Sequence, residues 1–315
     1  MVGVSYFYLS LQFFLTPMNY KKLTFKFVLG AAIGGSLLMT SCGPGDKKDA
    51  ETGDKDTVNA PSLVKLGNAH FSIPSPFQTA MLIKASGAQY NKDILNPAKN
   101  FSKYSTNFKK AINLGVYGAD VGYVTMYDQT QDALGYIGSI RKLTEELGIN
   151  NGFDANTMKR FEQNLGKRDS MLSMVAVGYR ASDAFLKDND RLDVGALILT
   201  GGWVETLYFT TKAAAAKENQ DVKNRIGEQK YTLDNLIKLL QPYYNQPDYT
   251  GLIDQLIDLA YDFDAIDIEY KYVKPVTDVA NKTTTINSST KVIMTKEQLE
   301  IISKKIEKIR NTIIG

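Results

Sequence analysis

Seven side chains have the types and settings to do chemistry together: Asp120, Tyr123, Tyr127, Arg180, Asp183, Trp203 and Glu205. Each interrupts or borders a stretch that is otherwise apolar. Asp120 is the only charge between Leu114 and Tyr127. Arg180 and Asp183 fall within the apolar run that opens at Met171. Glu205 follows Trp203-Val204 at the end of an uncharged run from Val194. A charge taken out of water is costly unless it is paired or hydrogen-bonded, so these groups must meet one another or a ligand. One arrangement is a set of internal ion pairs that fixes helix register, with Asp120 on Arg180 as its simplest member. The other is a polar pocket whose three carboxylates outnumber its one guanidinium, suited to a cationic small ligand or a metal. The tyrosines fit either, because a buried phenol usually keeps its hydroxyl bonded.

Most other chemistries are excluded by the residues that are missing. His70 is the only histidine and Cys42 the only cysteine. His-rich zinc sites, thiolate metal sites and the HExxH pattern are therefore out of reach, and no disulfide can form within one chain. There is no GxxxxGK[ST] loop and no GxGxxG. Ser288-Ser289-Thr290-Lys291 is an isolated SxxK in a polar stretch, without companion motifs. Asp254, Asp258 and Asp262 recur every four residues, with Asp264, Asp267 and Glu269 behind them, enough carboxylates for calcium. They lack the order of an EF-hand loop, and Leu252, Leu256, Leu259 and Phe263 give the same helix an apolar face, so the acids read as its wet side. His70 reads as a loop or capping residue. No cofactor is called for.

The elements that would position these residues are mostly helical from Pro61 onward. Ser75-Pro76 opens a helix expected to reach residue 90. A second is expected over 101–127, a third over 129–147 with Gly148 as its stop, and short ones over 154–165 and 169–186. A long helix follows over 191–216, then 232–240 and 249–263. In the 101–127 segment, Phe101, Tyr104, Phe108, Ala111, Gly115, Gly118, Gly122 and Thr125 form one seam at 3-4 spacing. Glycine inside a helix costs roughly 1 kcal/mol against alanine, so this seam calls for close approach of a neighbouring backbone. The opposite face is also apolar, with Leu114, Tyr117, Val121 and Val124, which marks a central helix. Between 266 and 294, β-branched and alternating residues suggest a short β-hairpin or extended segment. Thr295 and Gln298 form a capping box for the last helix. Leu299, Ile302, Ile306, Ile309 and Ile313 are its buried stripe, and Arg310 is assigned to its wet face. The fold class is all-α, a multi-helix bundle with that one short β element.

The N-terminal part carries a different signal. After Met18 come Lys21, Lys22 and Lys26, then an uncharged run from Phe27 to Met39, then Leu38-Met39-Thr40-Ser41-Cys42. A basic start, an apolar run and small residues in that order make a secretory signal, and the apolar run is shorter than the roughly 20 residues of a spanning helix. The last five residues resemble the lipobox of bacterial lipoproteins, with methionine where leucine is usual. The resemblance implies lipid on the Cys42 thiol and cleavage just before it. Residues 1–17 read as a mis-called start, 1–41 as the signal peptide, 42–60 as lipidated cysteine and tether, and 61–315 as the helical domain. Gly43 onward is too polar to order itself, and a flexible tether of that length spans about 25 Å. Asp46-Lys47-Lys48-Asp49 loosely resembles the charged export tags of surface-exposed lipoproteins. Gly43 in place of an aspartate favours the outer membrane.

Removing Lys21, Lys22 and Lys26 with the signal takes the net charge from +3 to 0. A neutral mature chain lacks the basic footprint of a nucleic-acid binder. The expectation is a lipid-anchored, non-enzymatic cell-envelope protein that binds an envelope protein partner or assists assembly. The alternatives are a small-ligand or cation binder using the interior carboxylates, and a hydrolase working with carboxylates alone. Imelysin-like lipoproteins are also helical envelope proteins, but their GxHxxE motif is absent.

Overall fold

The computed structural model describes residues 62–66, 69–73, 76–149, a few positions between 159 and 170, 191–278 and 283–315. All of these lie in one compact unit, Asp54–Gly315. Cys42, Arg180, Asp183 and most of the helices expected over 154–165 and 169–186 fall outside the described residues.

Eight α-helices are described: α1 (Pro76–Ala85), α2 (Asn107–Met126), α3 (Thr130–Leu147), α4 (Leu192–Ala216), α5 (Gln220–Gly227), α6 (Gln229–Leu240), α7 (Pro247–Asp264) and α8 (Lys296–Ile314). Six short strands pair antiparallel in twos. They are β1 (Ser62–Leu66) with β2 (Ala69–Ile73), β3 (Asp267–Lys271) with β6 (Ser289–Ile293), and β4 (Val276–Asp278) with β5 (Thr283–Thr285). The expected mostly helical fold with a short β element is what forms.

The helices α2 and α4 form the centre. Both are buried over most of their length, because each is apolar on every side. They touch backbone to backbone. A methyl group added to Gly115 would sit 1.9 Å from the Ile198 carbonyl oxygen, and one added to Gly201 1.9 Å from that of Ile112. Only glycine at both positions allows this crossing, which is the close approach the seam demanded. Gly122 faces the Phe77 ring of α1, where an added methyl would sit at an ordinary contact distance of 3.6 Å. Around this pair pack α3, α1 and α8, with α7 behind α8 and α6 against α4 and α7. Thr106 caps α2 by accepting from the Lys109 amide, and Gly148 ends α3 in the left-handed conformation at φ +68°.

Several boundaries differ from the sequence reading. The helix expected from 101 begins at Asn107, and Phe101 lies in a 3-10 turn, Ala98–Lys103. Phe101 and Tyr104 therefore precede the seam. Helix α1 stops at Ala85, with Gly87 at φ +85°, and the chain from there to α2 runs over the core. Helix α5 was not anticipated, and neither was the β1–β2 pair. It places His70 opposite Lys65 in a strand rather than in a loop.

Helix α8 closes the bundle as its stripe required. Thr295 and Gln298 cap it reciprocally, and Leu299, Ile302, Ile306, Ile309 and Ile313 are buried. Arg310, assigned to the wet face, is also buried. The acids of α7 are spent at the surface. Lys305 Nζ lies 2.9 Å from Asp258 and 2.6 Å from Asp262, Lys230 bonds Asp264, and the Tyr244 hydroxyl donates to Asp254.

Candidate functional site: a buried carboxyl pair under Arg310

Three helices bring one acid or base each to a common point. Asp120 comes from α2, Glu205 from α4 and Arg310 from α8. Both carboxyls are fully buried, and Arg310 is 6 % exposed. Arg310 grips Glu205 with two parallel bonds, Nε to Oε2 and Nη2 to Oε1, each 2.9 Å. Its Nη2 also donates to the Ile94 carbonyl at 2.8 Å, and its guanidinium lies 4.8 Å from the Tyr208 ring centre. Such a fork is the strongest arrangement available to a buried ion pair.

Asp120 has no such fork among the described residues: neither of its carboxyl oxygens has a hydrogen-bond partner of good geometry there, and its neighbours are the Glu205 carboxyl and the Asn96 amide. Burial first, then the nearby charge of Glu205, push its pKa well above the ordinary carboxylate range, while Arg310 and the Asn96 backbone amide pull it only partway back. Glu205 is also raised by burial, against the opposing pull of Arg310. Two carboxyls facing one guanidinium cannot both ionise cheaply in a dry interior. The geometry assigns the charge to Glu205, which holds the guanidinium, and the proton to Asp120.

The polar surroundings are closed by the chain that joins α1 to α2. The Tyr117 hydroxyl donates to the Pro97 carbonyl at 3.1 Å, and Ser139 donates to that of Ala98. Asn96 donates to the Tyr104 hydroxyl, Asn100 donates to Asn96, and Asn113 donates to the Ile313 carbonyl at the end of α8. Tyr117 and Tyr136 have pKa values pushed far up, mainly by burial. These phenols stay neutral and serve as packing with a bonded hydroxyl.

Of the seven residues singled out, Asp120 and Glu205 are brought together. The Tyr123 and Tyr127 rings meet in a tilted arrangement with centroids 4.9 Å apart, but their hydroxyls are engaged elsewhere. Tyr123 accepts from the Asn91 amide, and Tyr127 donates to the Ala88 carbonyl. Trp203 donates its indole N–H to Gln229 of α6 at 3.0 Å. Among the described residues, the cation on Glu205 is Arg310, which sequence reasoning had placed in solvent. A signal for it existed. Ile302, Ile306 and Arg310 follow at four-residue steps, on the edge of the apolar stripe where a third buried row belongs.

The arrangement can hold a proton and lock three helices. It presents no open carboxylate pair to a substrate. No group of three histidine, cysteine or acidic side chains placed to hold a metal ion occurs among the described residues. Compared with models of protein families, with curated proteins and with solved structures, the chain matches none.

Proposed function

We propose that the chain is a lipid-anchored cell-envelope protein, held through Cys42 and favouring the outer membrane. Its helical domain works by binding an envelope partner or assisting assembly rather than by catalysis. The anchor rests on the basic start at Lys21 and Lys22, the apolar run and Leu38-Met39-Thr40-Ser41-Cys42, with no second cysteine to take the lipid. The observation that carries the non-catalytic reading is the sealed centre. Its strongest candidate acids, Asp120 and Glu205, are fully buried, with one gripped by Arg310. The Cys42→Ala variant should take up no acyl label and keep its signal. Label at the wild-type level would overturn the anchor. Capture of the natively lipidated protein with its bound fraction should return an envelope protein, whereas co-purification of a stoichiometric small molecule would overturn the partner-binding reading.

One observation favours a second reading, that the interior binds a small cation. Both Asp120 oxygens are buried without a good hydrogen-bond partner among the described residues. A cation specific to that site should raise the melting temperature of the wild type and not of Asp120→Asn.

A further inference from the structure

The strand pairs β3–β6 and β4–β5 form an arm whose root packs on the core and whose described outer part is exposed. At the root, Ile268 and Val292 lie opposite each other in register. Val292 is buried, its amide donates to Asn224 of α5, and its carbonyl accepts from Gln220. Two residues further out on β3, Tyr270 is 64 % exposed. Beyond it Tyr272 is 67 % exposed, Val276 62 % and Ile286 71 %. Strands β4 and β5 are exposed along their whole length. Ser288 bonds both the amide and the carbonyl of Val273, which joins the two strand pairs into one continuous ribbon.

The charge on this ribbon is polarised. Among the described residues from 270 to 291, Lys271, Lys274 and Lys291 stand against Asp278, a net charge of +2, with Lys291 opposite Glu269 where the ribbon meets its root. The acids Asp264, Asp267 and Glu269 lie at the root. We infer that the outer ribbon is a docking surface for an anionic lipid bilayer, with its lysines at the head groups and Tyr272, Val276 and Ile286 in the interfacial layer. Tyrosine prefers that layer, where its ring is apolar and its hydroxyl wet. Lysines close to an anionic surface add an attraction that salt screens. A second copy of the ribbon would carry the same positive charge and be repelled. An acidic polysaccharide would account for the lysines but not for the two uncovered aliphatic side chains.

The inference rests on the proposed anchor only for bringing the arm to a membrane. The ribbon's own affinity can be measured without Cys42, so failure of either idea leaves the other standing. The test is flotation of the compact unit, Asp54–Gly315, with two kinds of vesicle, phosphatidylcholine alone and phosphatidylcholine mixed with phosphatidylglycerol. The protein should float with the anionic vesicles, be released by high salt, and stay behind with the neutral ones. Each exposed lysine should contribute about 5-fold, so Lys271→Gln, Lys274→Gln and Lys291→Gln together should weaken binding on the order of 100-fold. Tyr272→Ser with Ile286→Ser should weaken it at high and low salt alike. All five positions are exposed or outside the core, so both variants should melt as the wild type does. Absence of flotation with anionic vesicles, equal flotation with neutral ones, or binding indifferent to these substitutions would overturn the inference.

Discussion

Replacing Asp120 with asparagine keeps the shape of a fully buried side chain and removes its ability to ionise. Burial and the nearby Glu205 disfavour the charge of the folded carboxyl and raise its pKa, whereas in the unfolded chain it ionises near the usual value of 3.8. Between that value and its raised folded value, the folded state therefore binds one more proton than the unfolded state. Stability must fall as pH rises through this window, by about 1.4 kcal/mol per pH unit for one proton. Below pH 3.8 the effect vanishes, because both states hold the proton. Asparagine has no such slope, but its amide brings donors that Asp120 does not need, at a cost of about 1–3 kcal/mol if they stay unsatisfied. The variant should start near or below the wild type at the acid end of the window and gain on it steadily. In melting temperature that relative gain is roughly 3–6 °C per pH unit for a domain of this size. Urea or thermal unfolding of both proteins at several pH values across the window measures it. Parallel pH profiles would refute the reasoning, since Asp120 would then titrate alike folded and unfolded. A uniform loss of several kcal/mol at all pH values would show instead that an ionised Asp120 is paired and needed.

The other partner of the cluster should behave in the opposite way. Arg310→Met strands the Glu205 carboxylate in the core and should cost about 3–5 kcal/mol, with much of it recovered on adding Glu205→Leu, as read by urea denaturation. At the helix crossing, Gly115→Ala and Gly201→Ala each force a methyl group into a backbone carbonyl and should destabilise by about 1–3 kcal/mol or more. By contrast, Gly251→Ala on the exposed side of α7 meets nothing within 4 Å and should stabilise by up to about 1 kcal/mol. Equal effects at the three glycines would contradict the crossing. Truncation before Lys296 removes five buried apolar side chains together with Arg310 and should abolish the cooperative melt and bring dye binding to exposed apolar surface. An unchanged melt would make α8 a separable helix rather than the closing element of the core.

Patterns read within single segments were reliable wherever one period covered the element. The glycine seam of α2 implied a backbone neighbour, and α4 supplies it, with the Ile198 carbonyl against Gly115 and the Ile112 carbonyl against Gly201 in return. The capping box at Thr295 and Gln298 placed the start of α8 to the residue. Reading failed where two periods met or a segment was short. Phe101 and Tyr104 share the spacing of α2 but precede its cap at Thr106, and a seam extended through them runs past a real helix start. Ser62–Leu66 and the alternating Ala69–Ile73 flank Gly67-Asn68, a short hairpin signal beside a largely helical chain.

The sequence by itself determined which faces are apolar, that Asp120 and Glu205 enter an interior, and that thiol and multi-histidine chemistry are excluded. It also carries the signal-like start and the single cysteine on which the anchor proposal depends. Only the tertiary structure decided which cation answers Glu205. Arg310 lies 105 residues away, on a helix whose own periodicity made it look wet. Helical spacing reports which side of an element faces inward, because apolar burial acts on every element separately. The partner of a buried charge depends on where three helices cross, and the close glycine contact of α2 with α4 and the docking of α8 bring Asp120, Glu205 and Arg310 to one point.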